Sequence, residues 1–226
     1  MKVSTDACIF GAWMATVLKD RVHEEGRVLD IGTGTGLLAL MVAQQCPAFI
    51  TGVEIQQAST LQAASNMASS PWAGRLRVVP ADINDFTFSS SFDAIIANPP
   101  FFEDDLPSPE PGRNLARHGE TLTFPQTIRA IFRDLSAEGV AGVLLPFHRV
   151  DAFLKDAINL GFFCREKILL SQTPQHPPFR AMLWLERQSL DEEQDPATIT
   201  RQWVVRDGEN YGAECKALLK DYYLYL

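Results

Sequence analysis

The chain has 226 residues, 46% of them apolar, and a formal net charge of −8. Its length suits one globular domain with an ample hydrophobic core, and neither a membrane span nor a signal peptide is recognisable in it. The four cysteines and four histidines lack the spacing of disulfide or metal motifs, so we expect reduced thiols, no metal and a cytoplasmic protein without membrane contact.

Hydrophobic periodicity predicts strands that alternate with helices, which is typical of an α/β fold. Strands are predicted at 27–32, 49–55, 76–81, 92–98, 139–146, 164–171, 180–187 and 200–206. Helices are predicted at 7–18, 37–45, 57–69, 122–135, 149–160 and 213–223. The strands at 164–171 and 180–187 flank a proline-rich turn and predict a hairpin at the sheet edge. The polar, proline-rich stretch 101–121 predicts a long functional loop.

The segment 28–38 takes an apolar strand into a glycine-rich turn and then into an apolar helix. The glycines Gly32, Gly34 and Gly36 follow a G-x-G-x-G spacing, which is neither the dinucleotide pattern nor a phosphate loop. Asp30 stands just before this turn. Glycines permit positive φ and let a ligand approach the backbone closely, so this junction predicts a binding site.

Two acids follow the next two strands. Glu54 ends the strand at 49–55, where a carboxylate can accept hydrogen bonds from both hydroxyls of a ribose. Asp82 follows the strand at 76–81 and can accept a hydrogen bond from an adenine amino group, although an Asp there is also a common turn or cap residue. Open α/β sheets bind ligands at the carboxyl ends of their strands, so both acids and the glycine turn are expected to line one crevice.

The sequence Asn98-Pro99-Pro100-Phe101 stops a short apolar strand, because proline cannot donate a ladder hydrogen bond. The Asn98 side-chain oxygen and the Pro99 carbonyl can each accept one hydrogen of a planar NH2 group. Phe101 can stack on the ring that carries this group. The alternative interpretation is an ordinary strand end followed by turn residues.

Taken together, these motifs resemble those of class I S-adenosylmethionine-dependent methyltransferases. The resemblance implies a Rossmann-like, seven-stranded sheet with helices on both faces, an edge hairpin and a small C-terminal strand–helix addition. It also implies that S-adenosylmethionine is the cofactor and that its methionine, ribose and adenine parts are bound by Asp30, Gly32, Gly34, Gly36, Glu54, Asp82, Ile83 and Asn98. The Asn-Pro-Pro-Phe motif resembles the catalytic motif of enzymes that methylate adenine N6, cytosine N4 or glutamine N5.

Three further segments, 2–13, 113–118 and 222–226, resemble the bacterial tRNA1(Val) adenine-N6 methyltransferases. This narrower resemblance implies tRNA as the partner and the adenosine next to the anticodon as the methyl acceptor. It implies catalytic roles for Asn98, Pro99 and Phe101, and substrate contacts from Pro100, Arg113, Arg117 and His118. The pair Arg117-His118 is explained equally well as two solvated loop residues.

We therefore expect a monomer with a single methyltransferase domain over residues 1–226. Its expected parts are an N-terminal helix, a cofactor-binding half, an acceptor loop and a substrate-side half, at 1–20, 27–98, 99–121 and 122–226. Two alternatives stay open. One is a glutamine-N5 methyltransferase acting on a protein, which the acidic net charge favours slightly over an RNA enzyme. The other is a non-catalytic protein of the same fold that binds RNA.

Overall fold

A computed structural model of the chain describes residues 3–99, 122–188 and 197–225. Within these residues eight strands form one mixed sheet in the order β3-β2-β1-β4-β5-β7-β6-β8. The strands are β1 (Arg27–Ile31), β2 (Phe49–Glu54), β3 (Leu76–Pro80), β4 (Phe92–Ala97), β5 (Leu135–Pro146), β6 (Phe162–Ser171), β7 (Pro178–Arg187) and β8 (Ile199–Val204). A separate two-stranded ribbon is formed by β9 (Arg206–Asp207) and β10 (Asn210–Tyr211).

Six α-helices lie in the described residues: α1 (Thr5–Lys19), α2 (Leu37–Gln45), α3 (Gln57–Ala68), α4 (Phe124–Asp134), α5 (Val150–Asn159) and α6 (Ala213–Leu219). Two single 3-10 turns occur at Ala73–Arg75 and Phe147–Arg149. None of the helices in this described part is long and apolar enough to cross a membrane.

The first half of the sheet is parallel and places the two sequence motifs side by side. β1 pairs with β2 on one side and with β4 on the other, both in parallel register. The strand order therefore reverses between β1 and β4, and this reversal opens a crevice at their carboxyl ends. Both strands are buried along most of their length, and apart from Arg27, Asp30 and Asp93 their residues are apolar, as expected for inner strands of a parallel sheet.

The sheet has eight strands in the described residues, one more than the seven expected, and the additional strand lies in its second half. β7 runs antiparallel to both β5 and β6, as expected for the predicted hairpin. The hairpin does not form the sheet edge, however, because β8 pairs in parallel with β6 from Glu166–Ile199 to Ser171–Val204. This pairing satisfies the outer backbone groups of β6, so the predicted C-terminal strand becomes the eighth strand and the edge.

Helices cover both faces of the sheet, as predicted, and form two apolar clusters. On one face α1, α2 and α6 bury residues such as Phe10 and Met14, neither of which is exposed. On the other face α4 and α5 bury Ile131 and Phe153. Strand β5 starts at Leu135, directly after α4 and earlier than the predicted 139–146, because its first residues still pair with β4 across a register shift. These packed layers hold the carboxyl ends of the strands in fixed relation to one another.

Candidate cofactor and acceptor site

The glycine turn after β1 adopts the left-handed conformation at all three of its predicted glycines. Their φ angles are 66° at Gly32, 57° at Gly34 and 82° at Gly36. A methyl group added at Gly32 would meet no atom within 4 Å, so this position faces open space. At Gly36 the same group would lie 3.3 Å from Met67 Cε and 3.6 Å from Ala63. Gly36 therefore serves the packing of α3, while Gly32 leaves room for a ligand.

Asp30 lies under this turn, fully buried at the end of β1. Its Oδ2 accepts hydrogen bonds from Thr33 Oγ1 at 2.6 Å and from the Ala39 backbone N–H at 3.2 Å. Its Oδ1 is buried and has no hydrogen-bond partner in the part of the chain that the structure describes. Burial raises the pKa of the Asp30 carboxyl to about 7; the two hydrogen bonds oppose this rise and the nearby Glu54 charge adds to it. Asp30 Oδ1 is therefore a buried acceptor that lacks a hydrogen-bond donor among the described residues.

Glu54 links the end of β2 to the glycine turn. Its Oε2 accepts a hydrogen bond from the Gly34 backbone N–H at 2.9 Å. Its Oε1 accepts one from the Gln56 backbone N–H, also at 2.9 Å. The residue is only 9% exposed. Each carboxylate oxygen has remaining lone pairs, so Glu54 can hold the turn and still accept hydrogen bonds from a bound diol.

Asp82 forms a tight turn after β3. Its Oδ1 accepts hydrogen bonds from the Asn84 backbone N–H at 2.8 Å and from Asn84 Nδ2 at 2.9 Å. The turn interpretation of Asp82 is therefore correct, and the same geometry fixes its carboxylate at the carboxyl end of the strand. Ile83 follows as a buried apolar residue, 5% exposed.

Arg133 is a positioning residue that no sequence motif predicts. Its Nη2 donates to the Ile83 carbonyl at 2.8 Å, and its Nη1 donates to the Asn84 carbonyl at 3.4 Å. The same guanidinium pairs with the buried carboxylate of Asp134 at 2.6 Å. Arg133 thus ties the Asp82 turn to the end of α4. A contact between residues 50 positions apart leaves no local pattern in a sequence.

Asn98 follows β4, whose last residue Ala97 lies beside Ile31 of β1 in the parallel register. Asn98 therefore follows its strand at the same level as Gly32, the first residue of the glycine turn, follows β1. Its Oδ1 is buried and has no hydrogen-bond partner among the described residues. Pro99 is buried beside it. The other predicted acceptor-side residues lie outside the described residues, namely Pro100, Phe101, Arg113, Arg117 and His118.

The described residues fit S-adenosylmethionine. This molecule carries an ammonium group, two ribose hydroxyls and an adenine amino group, all of which donate hydrogen bonds. The crevice offers matching acceptors on Asp30, Glu54, Asp82 and Asn98, and two of their oxygens are buried with no donor from the described ranges of the chain. A buried acceptor without a partner is costly, and a ligand that supplies the donor removes that cost. Gly32 leaves open space beside these groups.

The fold has close counterparts among solved structures. A predicted O-methyltransferase from Agrobacterium tumefaciens superposes with a TM-score of 0.66 over 95% of both chains, at 16% sequence identity. The family model of the methyltransferase small domain matches residues 11–120. The fold and the motif-bearing half of the chain are thus those of a class I, S-adenosylmethionine-dependent methyltransferase.

Similarity to curated relatives extends over nearly the whole chain. A tRNA1(Val) (adenine(37)-N6)-methyltransferase of Bacteroides fragilis is 34% identical, covering 99% of this chain and 91% of the relative. The enzyme of the same name from Phocaeicola vulgatus is 37% identical with the same coverage. The chain belongs to the family of tRNA1(Val) (adenine(37)-N6)-methyltransferases.

Proposed function

We propose that the protein transfers a methyl group from S-adenosylmethionine to N6 of adenosine 37, next to the anticodon, in tRNA1(Val). The observation that carries this proposal is the buried Asn98 oxygen at the end of the strand beside β1, which has no hydrogen-bond partner among the described residues. Family membership over the full chain supports the choice of a tRNA adenine as acceptor. The proposal places the protein in the cytoplasm, with its substrate, and the monomeric state stays a prediction.

The cofactor site in this proposal consists of the motif residues at the carboxyl edge. Asp30 and the turn glycines Gly32, Gly34 and Gly36 would hold the methionine part, Glu54 the ribose, and Asp82 with Ile83 the adenine. When bound, the cofactor supplies an electrophilic methyl group on a positively charged sulfur. The buried walls around Asp30 exclude water, which strengthens the electrostatic interactions of this site.

Asn98 and Pro99 would orient the acceptor nitrogen. An exocyclic adenine nitrogen is a weak nucleophile, since its lone pair is delocalised into the ring. Asn98 Oδ1 and the Pro99 carbonyl can each accept one of its two hydrogens and leave the lone pair directed at the methyl carbon. Positive charge grows on this nitrogen during attack, so these two acceptors bind the transition state more strongly than the ground state. No general base is required, because the proton becomes acidic once the new bond has formed.

The remaining predicted residues complete the proposal on the acceptor side. Phe101 would stack on the target base, which is worth roughly 1–3 kcal/mol in single-stranded recognition. A base in an anticodon loop is already unpaired, so presenting it costs less than flipping a base out of a duplex. Pro100, Arg113, Arg117 and His118 would contact the RNA. These roles stay predictions.

Analysis of nucleosides from a strain that lacks the gene tests the proposal. We expect N6-methyladenosine to disappear from tRNA1(Val) and to return when the intact gene, but not an Asn98→Ala copy, is supplied. Unchanged N6-methyladenosine together with the loss of N5-methylglutamine from a protein would instead assign the activity to the glutamine alternative.

A further inference from the structure

Basic and aromatic side chains collect at the carboxyl edge of the second half of the sheet. We call this set the basic strip: His148, Arg149, Phe179, Arg180, Arg206 and Tyr211. The topology brings them together, because β5, β6 and β8 end at this edge and the antiparallel β7 begins there. Arg180 pairs in register with Pro146, the last residue of β5. The Arg206 backbone N–H donates to Gln172 just after β6, at 2.9 Å.

Of the residues in the strip, Arg206 is the best positioned to bind an anion. Its guanidinium carbon lies 3.9 Å from the centre of the Tyr211 ring, and its Nη1 donates to the Glu209 carbonyl at 3.2 Å. The side chain is exposed and forms no ion pair within the described residues. In the ribbon Arg206 pairs with Tyr211, whereas Asp207 pairs with Asn210, so the Asp207 side chain points to the opposite face. A stacked arginine keeps its planar donors ordered, which suits phosphate.

The other residues of the strip lie between Arg206 and the acceptor site. Arg180 is held by an ion pair with Asp6 at 3.0 Å and lies 5.4 Å from the Phe179 ring. His148 and Arg149 follow β5, which is the direct neighbour of β4 and hence of Asn98. From β4 to β8 the sheet order gives four strand spacings. At about 4.8 Å each, the strip extends roughly 19 Å from the acceptor site.

Several of the acids that give the chain its negative net charge lie away from this strip. Several described acids lie instead around the opposite, amino edge of the sheet, where α1 ends and the strands begin: Asp20, Glu24, Glu25, Asp93 and Glu186. Two contacts fix this placement. Asp93 accepts from the Arg27 backbone N–H at 2.8 Å, and Glu186 pairs with Arg21 at 3.1 Å. At the carboxyl edge, Asp30, Glu54 and Asp82 belong to the first half of the sheet, and Asp6 is paired with Arg180.

We propose that the basic strip binds the sugar-phosphate backbone of the anticodon stem-loop, and that Arg206 contacts a phosphate directly. Its charge is complementary to RNA, it starts at the acceptor site, and its length allows one stem to lie along it while the loop reaches Asn98. The inference rests on the proposed function. It assigns RNA contacts to the described residues that are separate from those predicted at Arg113 and Arg117.

The test compares the salt dependence of tRNA binding by the parent protein and by Arg206→Ala. Each lost phosphate contact should make the slope of log affinity against log salt shallower by about 0.7–0.9. The affinity gap between parent and variant should therefore narrow about three-fold between 50 and 200 mM salt. Backbone contacts do not read sequence, so the same change is expected with a tRNA other than tRNA1(Val). Affinity for S-adenosylhomocysteine should stay at the parent value.

Two further variants serve as controls. Lys19→Ala removes the same charge from the end of α1, at the opposite edge, and should leave the slope unchanged. Arg206→Lys keeps the charge without the planar fork and should retain most of the slope. If the parent binds and methylates tRNA but the slopes of the parent and Arg206→Ala are identical, the proposed RNA binding by the basic strip is wrong. The proposed function would not be affected. A parent that neither binds nor methylates tRNA would overturn the proposed function, and this inference with it.

Discussion

Glu54 accepts a hydrogen bond from the backbone N–H of Gly34, with 2.9 Å between the Gly34 nitrogen and Glu54 Oε2. The contact joins the end of β2 to the glycine turn after β1, 20 residues earlier in the sequence. The carboxylate proposed to bind the ribose therefore also fixes the turn proposed to bind the methionine part. Losing the carboxylate should disturb both parts of the cofactor site together.

The Glu54→Gln variant tests this double role. The glutamine side chain has only one acceptor oxygen, so it can accept a hydrogen bond from Gly34 or from Gln56 but not from both. Its NH2 group, a donor, would then face the other backbone N–H, which is also a donor. Hydrogen bonds to a charged group are worth about 1.5–3 kcal/mol, so cofactor affinity should fall roughly 10- to 100-fold. Calorimetric titration with S-adenosylhomocysteine measures this. Glu25→Gln, which changes an exposed acid at the opposite edge, should bind like the parent; equal affinity of both variants would refute the role of Glu54.

Two glycine variants distinguish the role of Gly32 in ligand binding from the role of Gly36 in helix packing. Gly32→Ala and Gly36→Ala both place a side chain at positive φ, which costs roughly 1–2 kcal/mol of stability. Only Gly36→Ala also brings its methyl group to 3.3 Å from Met67 Cε, so it should lower the urea midpoint further than Gly32→Ala. Gly32→Ala should weaken cofactor binding more, because its methyl group enters the open space. The reverse ranking of cofactor affinities would show that the ligand does not approach Gly32.

The raised pKa of Asp30, about 7, predicts a dependence of stability on pH. In the unfolded chain this carboxyl loses its proton near its ordinary value of 3.8, whereas in the folded protein it holds the proton up to about 7. The folded state thus binds more protons between these values, and the free energy of unfolding should fall as the pH rises from about 4 to 7. Asp30→Asn should lack this contribution, so its stability relative to the parent should increase across that range in urea titrations.

The same carboxyl predicts a dependence of cofactor binding on pH. An ammonium group bound beside Asp30 favours the ionised carboxylate. Affinity for S-adenosylhomocysteine, which carries this group, should therefore rise between pH 6 and pH 8 in the parent and not in Asp30→Asn. An affinity that is flat with pH in the parent would contradict contact between Asp30 and the ammonium group.

Local sequence patterns were sufficient to predict most of the fold. Helix α2 begins and ends at the predicted residues 37 and 45, because the glycine turn before it and the proline after it both act within a few residues. The glycine turn, Glu54 and Asn98 were placed at one edge correctly, since strand direction alone brings the carboxyl ends of parallel strands together.

Features that depend on distant contacts could not be predicted. The sheet position of β8 depends on pairing with β6, more than 25 residues upstream in sequence. Arg133 holds the Asp82 turn only because α4 packs against that end of the sheet. The last helix ends at Leu219, earlier than the predicted 223, and Tyr222 instead donates its hydroxyl to the Met41 carbonyl at 3.1 Å. Single-sequence periodicity does not contain such pairings.

Asn98→Ala tests the proposed catalytic contact. Removing one oriented acceptor should lower the single-turnover rate by about 100-fold or more, by comparison with other active-site polar contacts. Affinity for S-adenosylhomocysteine should change only a few-fold, because the Asp30 and Glu54 contacts remain. Asn159→Ala, at the exposed end of α5, is the matched control and should react at the parent rate. A near-normal rate in Asn98→Ala would favour the interpretation of this motif as an ordinary strand end.

The most direct measurement is methyl transfer to a defined RNA by the purified protein. Two tRNA1(Val) transcripts, with adenosine or guanosine at position 37, are incubated with S-adenosylmethionine that carries an isotopically labelled methyl group. Their nucleosides are then analysed by mass spectrometry. The account predicts labelled N6-methyladenosine from the adenosine transcript and no label in the guanosine transcript. Equal labelling of both transcripts, or label found only in glutamine of an added protein substrate, would contradict it.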